Sequence, residues 1–349
     1  MIQRTFMTYV PPPLLMSTYV PTHYRTHTLG EIQSNGAKLL DSEVTVAGFM
    51  EANRGKGAIC FVDLRDGTGK TQIFLKADNV GEAALDMVQR MTRESTLQFT
   101  GTVSEKRPPK LQEGQTPPPP TYEVIASTVT VIAKAAAPLP LGVTDTVNVE
   151  LDTRLDNRFL DLRREHIAAM FRLRGKVLQY GREALINEGF FETHTPKIVA
   201  TATEGGTDLF PMQYFDTPAF LNQSPQLFKQ LCMSGGLERV FEIGPAFRAE
   251  KHDTYRHLNE FISFDIECSW STDDDVMGVL ERMIHHIWQS IADDDESQTY
   301  ISRINDFRAS KDEEPIEVIV PELPFPRVSY CDAIKIIKEK GGEIEWGDD

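Results

Sequence analysis

The sequence predicts two domains of different class: a small all-β barrel first, then an α+β domain with an antiparallel sheet flanked by helices. Three observations predict it. Short alternating stretches separated by turns fill residues 43–133, whereas long helical periodicity mixed with strands begins after residue 160. Between them lies AAAPLPLGV (135–143), whose small residues and prolines read as a linker. The chain has 349 residues, enough for two separate cores.

The elements follow in order. Residues 1–26 begin MIQRTFMTYVPPPLLMSTYV, apolar residues broken by three prolines; this is a poor signal peptide and is expected to be a disordered lead-in or a start upstream of Met16. The barrel is expected over 27–134. EVTVAGFMEA (43–52) and AICFVDLRD (58–66) alternate. DGTG (66–69) turns the second of these into KTQIFLK (70–76), a hairpin. A helix is expected near 81–91, and strands resume at 95–103 and 122–133. Between these last two, KRPPKLQEGQTPPPP (106–120) can only be a loop. Five strands with a helix after the third fit an OB-type barrel. The linker and hinge are expected over 135–160 and the second domain over 161–349. Its first helix, over 166–188, carries Phe171, Leu178 and Leu185 at heptad spacing, with Met170, Leu173 and Val177 beside them, and Gly189 ends it. Asp273, Asp274 and Asp275 open a second helix whose apolar stripe runs through Val276, Val279, Leu280, Met283, Ile287 and Ile291. A last short helix covers 330–340.

Composition narrows the function. Hydrophobic content is 40%, charged content 25% and net charge −16, so a basic coat protein that binds phosphate backbones without selectivity is disfavoured. Local reading of one RNA through a few contacts stays open. Cys60, Cys232, Cys268 and Cys331 are scattered, which suggests neither a zinc site nor a disulfide framework and fits a reducing cytoplasm. No apolar run is long enough to cross a bilayer, and His285 and His286 read as helix residues rather than metal ligands.

Two groups of residues carry chemistry. In the barrel, alternation sends Cys60, Val62 and Leu64 to one face and Phe61 to the other; Gln72, Phe74 and Lys76 alternate away from Ile73 and Leu75. Phe61 could stack a splayed base and Gln72 read its edge. On pattern alone, packing of Phe61 under a loop is the readier account, and such barrels also bind sugars and proteins. In the second domain, GPAFRAEKHDTYRHLNEFISFDIE (244–267) reads as two antiparallel strands joined by a loop. Arg248 and Glu250 would share a face of the first arm, and Phe261 and Asp265 one of the second. An arginine there can grip a phosphate and a phenylalanine can stack a purine, although surface strands often carry R-x-E pairs. QSPQLFKQ (223–230) reads as a helix start with Ser224 as N-cap and Pro225 at N1, presenting Gln226 and Lys229. With Glu204, from the small-residue stretch 200–211, they could hold an amino acid with an acidic side chain; that stretch suits a mobile lid or a plain surface loop.

Together these segments resemble aspartyl-tRNA synthetases of the archaeal and eukaryotic type, class II (IIb), over residues 23–349. FFETHTPKIVATATEGGTDLFP (190–211) is similar to the end of motif 1 and the flipping loop, QSPQLFKQ to the aspartate-pocket signature and FRAEKHDTYRHLNEF (247–261) to motif 2. The resemblance implies an OB-fold anticodon-binding domain and a class II catalytic domain. It implies ATP as substrate, Mg²⁺, L-aspartate, tRNA-Asp and a homodimer formed through helix 166–188 and Pro196. It implies that Arg248, Glu250, Arg256, His257, Leu258 and Phe261 meet ATP. Glu204, Gln226, Leu227, Phe228, Lys229, Arg248 and Asp265 would meet aspartate, and Phe61 and Gln72 the anticodon. Glu51 stands near a position tied to discrimination between tRNA-Asp and tRNA-Asn. The family's third motif, G-x-G-x-x-R, is not found before the chain stops at EIEWGDD, so the catalytic domain is expected to be C-terminally incomplete. The alternatives are a noncatalytic tRNA-binding paralogue and an asparaginyl-tRNA synthetase, although a buried ammonium at 229 suits aspartate better than an amide.

Overall fold

The computed structural model describes residues 21–108, 119–143, 148–203, 209–251, 254 and 257–347. It divides into two compact units, with the boundary in the chain between Pro140 and Leu141.

Among the described residues of the first unit, five strands close into a barrel in the order β1-β2-β3-β5-β4. They are β1 (Glu43–Lys56), β2 (Ile59–Arg65), β3 (Lys70–Lys76), β4 (Thr96–Glu105) and β5 (Tyr122–Ala133). Alternation produces this: Val44, Val46, Cys60, Val62, Leu64, Ile73, Leu75, Leu97, Phe99, Val103 and Val124 point inward and are fully buried or nearly so. Two short helices, α3 (Ala77–Val80) and α4 (Glu82–Gln89), fill the connection after β3. The OB-type expectation is met.

Two features of this unit differ from the expectation. Helices α1 (Leu29–Ser34) and α2 (Gly36–Leu39) precede the first strand, and the signal was present: Thr28 and Glu31 form a reciprocal capping box. The lead-in expected over 1–26 is also partly structured. Residues 1–20 lie outside the described residues, but Thr22 bridges Arg25 and the Thr26 N–H donates to the Thr45 carbonyl at 2.8 Å. Asp66 ties this segment to the β2–β3 turn, accepting from Arg25 (2.9 Å) and the Leu29 N–H (3.0 Å). Of the loop 106–120, residues 109–118 lie outside the described residues.

The second unit starts with α5 (Leu151–Asp156) and α6 (Arg158–Asp161), inside the stretch expected to be linker. A fully buried carboxylate makes these helices: Asp161 pairs with Arg154 (2.8 Å) and Arg158 (2.7 Å), with Arg164 at 3.8 Å. Next comes α7 (Glu165–Asn187), closed by Gly189 at φ +82 as foreseen. Its buried stripe is Ile167, Ala169, Tyr180, Ala184 and Leu185, whereas Met170 and Phe171, named for their helical spacing, are about half exposed. Heptad spacing found the helix, and burial divides its apolar residues between a covered and an exposed side. Short strands β6 (Phe191–Glu192), β7 (Ile198–Val199), β8 (Pro211–Tyr214) and β9 (Thr217–Leu221) lead to α8 (Gln226–Ser234). The long hairpin follows: β10 (Arg239–Phe247) and β11 (Glu260–Cys268). Two sheets result, β11-β10-β6 and β7-β9-β8.

Helix α9 (Asp273–Asp293) packs its buried Val279 and Met283 against Ala184, Leu185 and Phe241. A helix that periodicity did not reveal, α10 (Asp295–Ala309), follows at once because Asp294 caps it, accepting from the Ser297 N–H at 3.0 Å. Helix α11 (Tyr330–Glu339) completes the order. None of the described helices is long and apolar enough to cross a membrane.

Lys176 on α7 clamps α10 through Asp294 (3.1 Å) and Glu296 (2.7 Å). Burial disfavours the Asp294 carboxylate, but hydrogen bonds from Ser297, Lys176 and Tyr180 outweigh it and hold its pKa down to about 2. The resulting stability is present above the unfolded-state value near 3.8 and is lost as pH falls towards 2. Asp294→Asn keeps a good helix cap and removes the charge. Urea unfolding should place the variant about 2 kcal/mol below wild type at pH 6, with the gap closing as pH falls from about 4 towards 2. A gap independent of pH would contradict the clamp.

Candidate active site and barrel surface

Hairpin register decides which side chains meet. Val240, Glu242, Gly244 and Ala246 of β10 pair with Glu267, Asp265, Ser263 and Phe261 of β11, so all eight share one face. Strand β10 itself ends at Phe247. Arg248 and Glu250, expected on it, lie just beyond, although the Arg248 N–H still donates to the Asn259 carbonyl at 3.0 Å. The Glu250 N–H is held by the Asn259 side chain (3.1 Å). The Arg248 guanidinium stands over the Phe261 ring, 5.3 Å from its centroid. A planar cation and an aromatic face thus open one end of the hairpin. Thr254 Oγ1 lies 2.6 Å from His257 Nδ1, and Leu258 is about half exposed. Arg256 lies outside the described residues.

Helix α8 delivers the other half. Its N-cap is Pro225 rather than Ser224, a shift of one residue, and Ser224 Oγ still accepts from the Gln226 N–H at 3.3 Å. Lys229 is only 3% exposed. Its ammonium donates to Asp265 Oδ1 and the Ile266 carbonyl, both at 3.2 Å, with Glu267 Oε2 at 3.8 Å. Gln226 Nε2 donates to the same Glu267 oxygen at 3.2 Å, and Ser263 donates to the other Asp265 oxygen. Gln226, Lys229 and Asp265 are therefore brought together as expected. Leu227 is 45% exposed and Phe228 half-buried beside them. Glu204 lies outside the described residues.

Beside this group a second buried ion pair sits on the same face. Glu242, 2% exposed, pairs with Lys197 and accepts from the Thr195 N–H at 3.1 Å. Gly244 leaves room for it, since a Cβ there would lie 2.8 Å from Glu242 Oε1. Sequence reading missed Glu242 and Glu267. Period-two alternation from Arg248 and from Asp265 would have found both.

On the barrel, Phe61 is half-buried and stacks on Phe74, with ring centroids 4.8 Å apart and planes 19° apart. Register places Arg54, Phe61, Phe74 and Ile125 in one row across the strands, with Ala52, Asp63, Gln72 and Glu123 in the next. Gln72 Nε2 donates to Glu123 (3.1 Å), which leaves its carbonyl oxygen and second N–H for a partner. Burial pushes the Glu123 carboxyl up. Arg54 grips Asp63 through two bonds, at 2.5 and 2.9 Å. An aromatic row beside a polar row is a surface on which a base can stack and have its edge read. Glu51, by contrast, is engaged by Arg65 (3.4 Å) and Lys70 (3.2 Å).

The profile of tRNA synthetases class II (D, K and N) matches residues 150–345, and that of the OB-fold nucleic acid binding domain matches residues 44–132. This chain belongs to the class II tRNA synthetases. It is 45% identical over 326 residues to the Aspartate--tRNA(Asp/Asn) ligase of Methanococcoides burtonii, covering 93% of this chain and 68% of that protein. The Aspartate--tRNA(Asp) ligase of Pyrococcus abyssi is 41% identical over 94% of this chain and 69% of its own length. Among solved structures, asparaginyl-tRNA synthetase from Pyrococcus horikoshii complexed with asparaginyl-adenylate superposes with a TM-score of 0.73 at 30% identity, over 89% of this chain and 67% of that one. Aspartyl tRNA synthetase from Entamoeba histolytica gives 0.73 at 27% identity, over 97% and 67%. The class II synthetase chain described here thus spans about two thirds of the length of these relatives.

Removing the ammonium from this synthetase face leaves Asp265 and Glu267 without their shared cation. Lys229→Met is expected to cost about 2 kcal/mol of stability at pH 7, the partial exposure of both carboxylates moderating the usual cost of breaking a buried pair. Chemical denaturation measures it, and an unchanged midpoint would mean that the pair does not hold the face together.

Proposed function

We propose that the chain is an aspartate–tRNA ligase: it joins L-aspartate to ATP as aspartyl-adenylate and passes the aspartyl group to tRNA-Asp, and to tRNA-Asn as in the relatives named for both. The observation that carries the reading is Lys229. A buried ammonium, oriented by two carboxylates at the start of a helix, suits a ligand with an acidic side chain. An amide would gain less from that charge, which disfavours asparagine.

The chemistry needs no side-chain nucleophile. A carboxylate oxygen of aspartate attacks the α-phosphorus of ATP; a new P–O bond forms and pyrophosphate leaves. A hydroxyl of the terminal adenosine of the tRNA then attacks the activated carbonyl and AMP leaves. Arg248 neutralises charge on the α-phosphate, Phe261 stacks the adenine, and Glu250, Arg256, His257 and Leu258 line the nucleotide. Gln226, with Glu204, Leu227, Phe228 and Asp265, surrounds the amino acid. Phe61 and Gln72 read the anticodon. Mg²⁺ accompanies ATP in this family, but among the described residues no three acidic, imidazole or thiol groups converge as a metal cage, so no step is assigned to it. A second copy of the chain would cover the exposed Phe159 of α6 and Met170 and Phe171 at the start of the long helix, and extend to the Pro196 region.

Arg248→Ala should lower aspartate-dependent ATP–pyrophosphate exchange by at least about 100-fold while the fold is kept. Exchange at the wild-type rate would remove Arg248 from the reaction. Phe61→Ala should weaken tRNA-Asp binding by about tenfold or more, with exchange in the absence of tRNA unchanged. Equal tRNA affinity in filter binding would return Phe61 to a packing role.

A further inference from the structure

Asn222 closes β9 where three segments of the candidate site meet, and neither the motif pattern nor the two-step chemistry gives it a task. It is 1% exposed. Both ends of its carboxamide are engaged. Oδ1 accepts from Thr203 Oγ1 at 2.7 Å and from the Ser224 N–H at 3.0 Å, and Nδ2 donates to the Pro196 carbonyl at 3.1 Å. Its backbone N–H donates to the Lys197 carbonyl (2.9 Å), and its carbonyl accepts from the Phe247 N–H (3.1 Å). Ser224 leads directly into α8, which carries Gln226 and Lys229. Phe247 directly precedes Arg248. Lys197 is the partner of Glu242.

A buried amide satisfied at both ends permits one geometry. Rotating or shortening it strands a donor or acceptor away from water, which costs more than the bond itself contributes. We propose that Asn222 is a positioning residue for adenylate formation. Its carboxamide anchors the start of α8, where the amino-acid contacts lie, to Pro196 and Thr203, and its backbone carbonyl holds the Phe247 N–H beside Arg248, so the amide sets where the α8 start sits relative to the end of β10. The inference rests on the aspartate-activating reading above. Each substrate keeps its own contacts when the amide is lost, but their mutual placement loosens. In-line attack is sensitive to that placement, so the loss falls on rate rather than on affinity.

The test uses the 349-residue chain with Asn222→Ala, Asn222→Asp and Thr203→Val. Active sites are counted by the burst of aspartyl-adenylate, KM for ATP and for L-aspartate is taken from exchange, and thermal unfolding is followed in parallel. Asn222→Ala should lower kcat per active site by about 30-fold or more, with both KM values within about threefold of wild type. Asn222→Asp keeps the Oδ1 bonds but sets a carboxylate oxygen against the Pro196 carbonyl, so it should lower kcat per active site at least as far as alanine does; its folded fraction, counted by the burst, decides the matter if the alanine variant does not fold. Thr203→Val cuts one bond and should stay within about threefold. A purely structural residue would lower the unfolding temperature and the number of active sites while kcat per site held. That result, or a loss confined to the KM for L-aspartate, overturns the proposal. A wild-type chain without aspartate-dependent exchange overturns the functional reading and this inference with it; wild-type activity with unaltered variants overturns the inference alone.

Discussion

A buried ammonium needs a counter-charge, and Lys229 has one at 3.2 Å in Asp265. Much of the second unit follows from that requirement. Asp265 can face Lys229 only if β11 pairs with β10 in the observed register, because a slip of one residue would turn Asp265, Glu267 and Phe261 to the opposite face. The same register sets Glu242 beside Asp265 and Phe261 under Arg248. Helix α8 must enter at the angle that brings its fourth residue to the strand, and the bonds around Asn222 hold that entry. One ion pair, one register and one buried amide together define the face on which the proposed reaction takes place.

The barrel solves a different problem with simpler means. Its interior is apolar and its strands close on themselves, so little conformational choice remains for the outer face. Phe61 and Phe74 stack there as a stiff aromatic platform, and Gln72 is oriented by Glu123. Preorganisation of this kind lowers the ordering cost of binding. The acidic total charge fits a protein that recognises one RNA by local contacts rather than by a diffuse basic surface.

Much of this was legible in the residues. Alternation found all five barrel strands and both arms of the long hairpin, because one wet face and one buried face impose a period of two. Gly189 marked the end of the long helix. The misses have physical causes. Phe171 lies on a heptad and stays exposed, since spacing shows that a helix has an apolar stripe but not what covers it. Helix α10 escaped because its apolar face is weak and a capping aspartate, rather than periodicity, starts it. Arg248 falls past the end of its strand because the paired register ends at Phe247, with one further bond from the Arg248 N–H to the Asn259 carbonyl. Asn222 could not have been found at all. Its partners lie at Pro196, Thr203, Ser224 and Phe247, and only the folded chain brings them together.

The proposed function requires that the face around Lys229 select an acidic amino acid for reaction with ATP. ATP–pyrophosphate exchange by the wild-type chain, run in parallel with L-aspartate and L-asparagine at matched concentrations, tests it most directly. Exchange with aspartate and at least about 100-fold less with asparagine is the predicted result, because a neutral amide gains less than a carboxylate from the Lys229 ammonium. Equal exchange with the two amino acids, or a preference for asparagine, would contradict it.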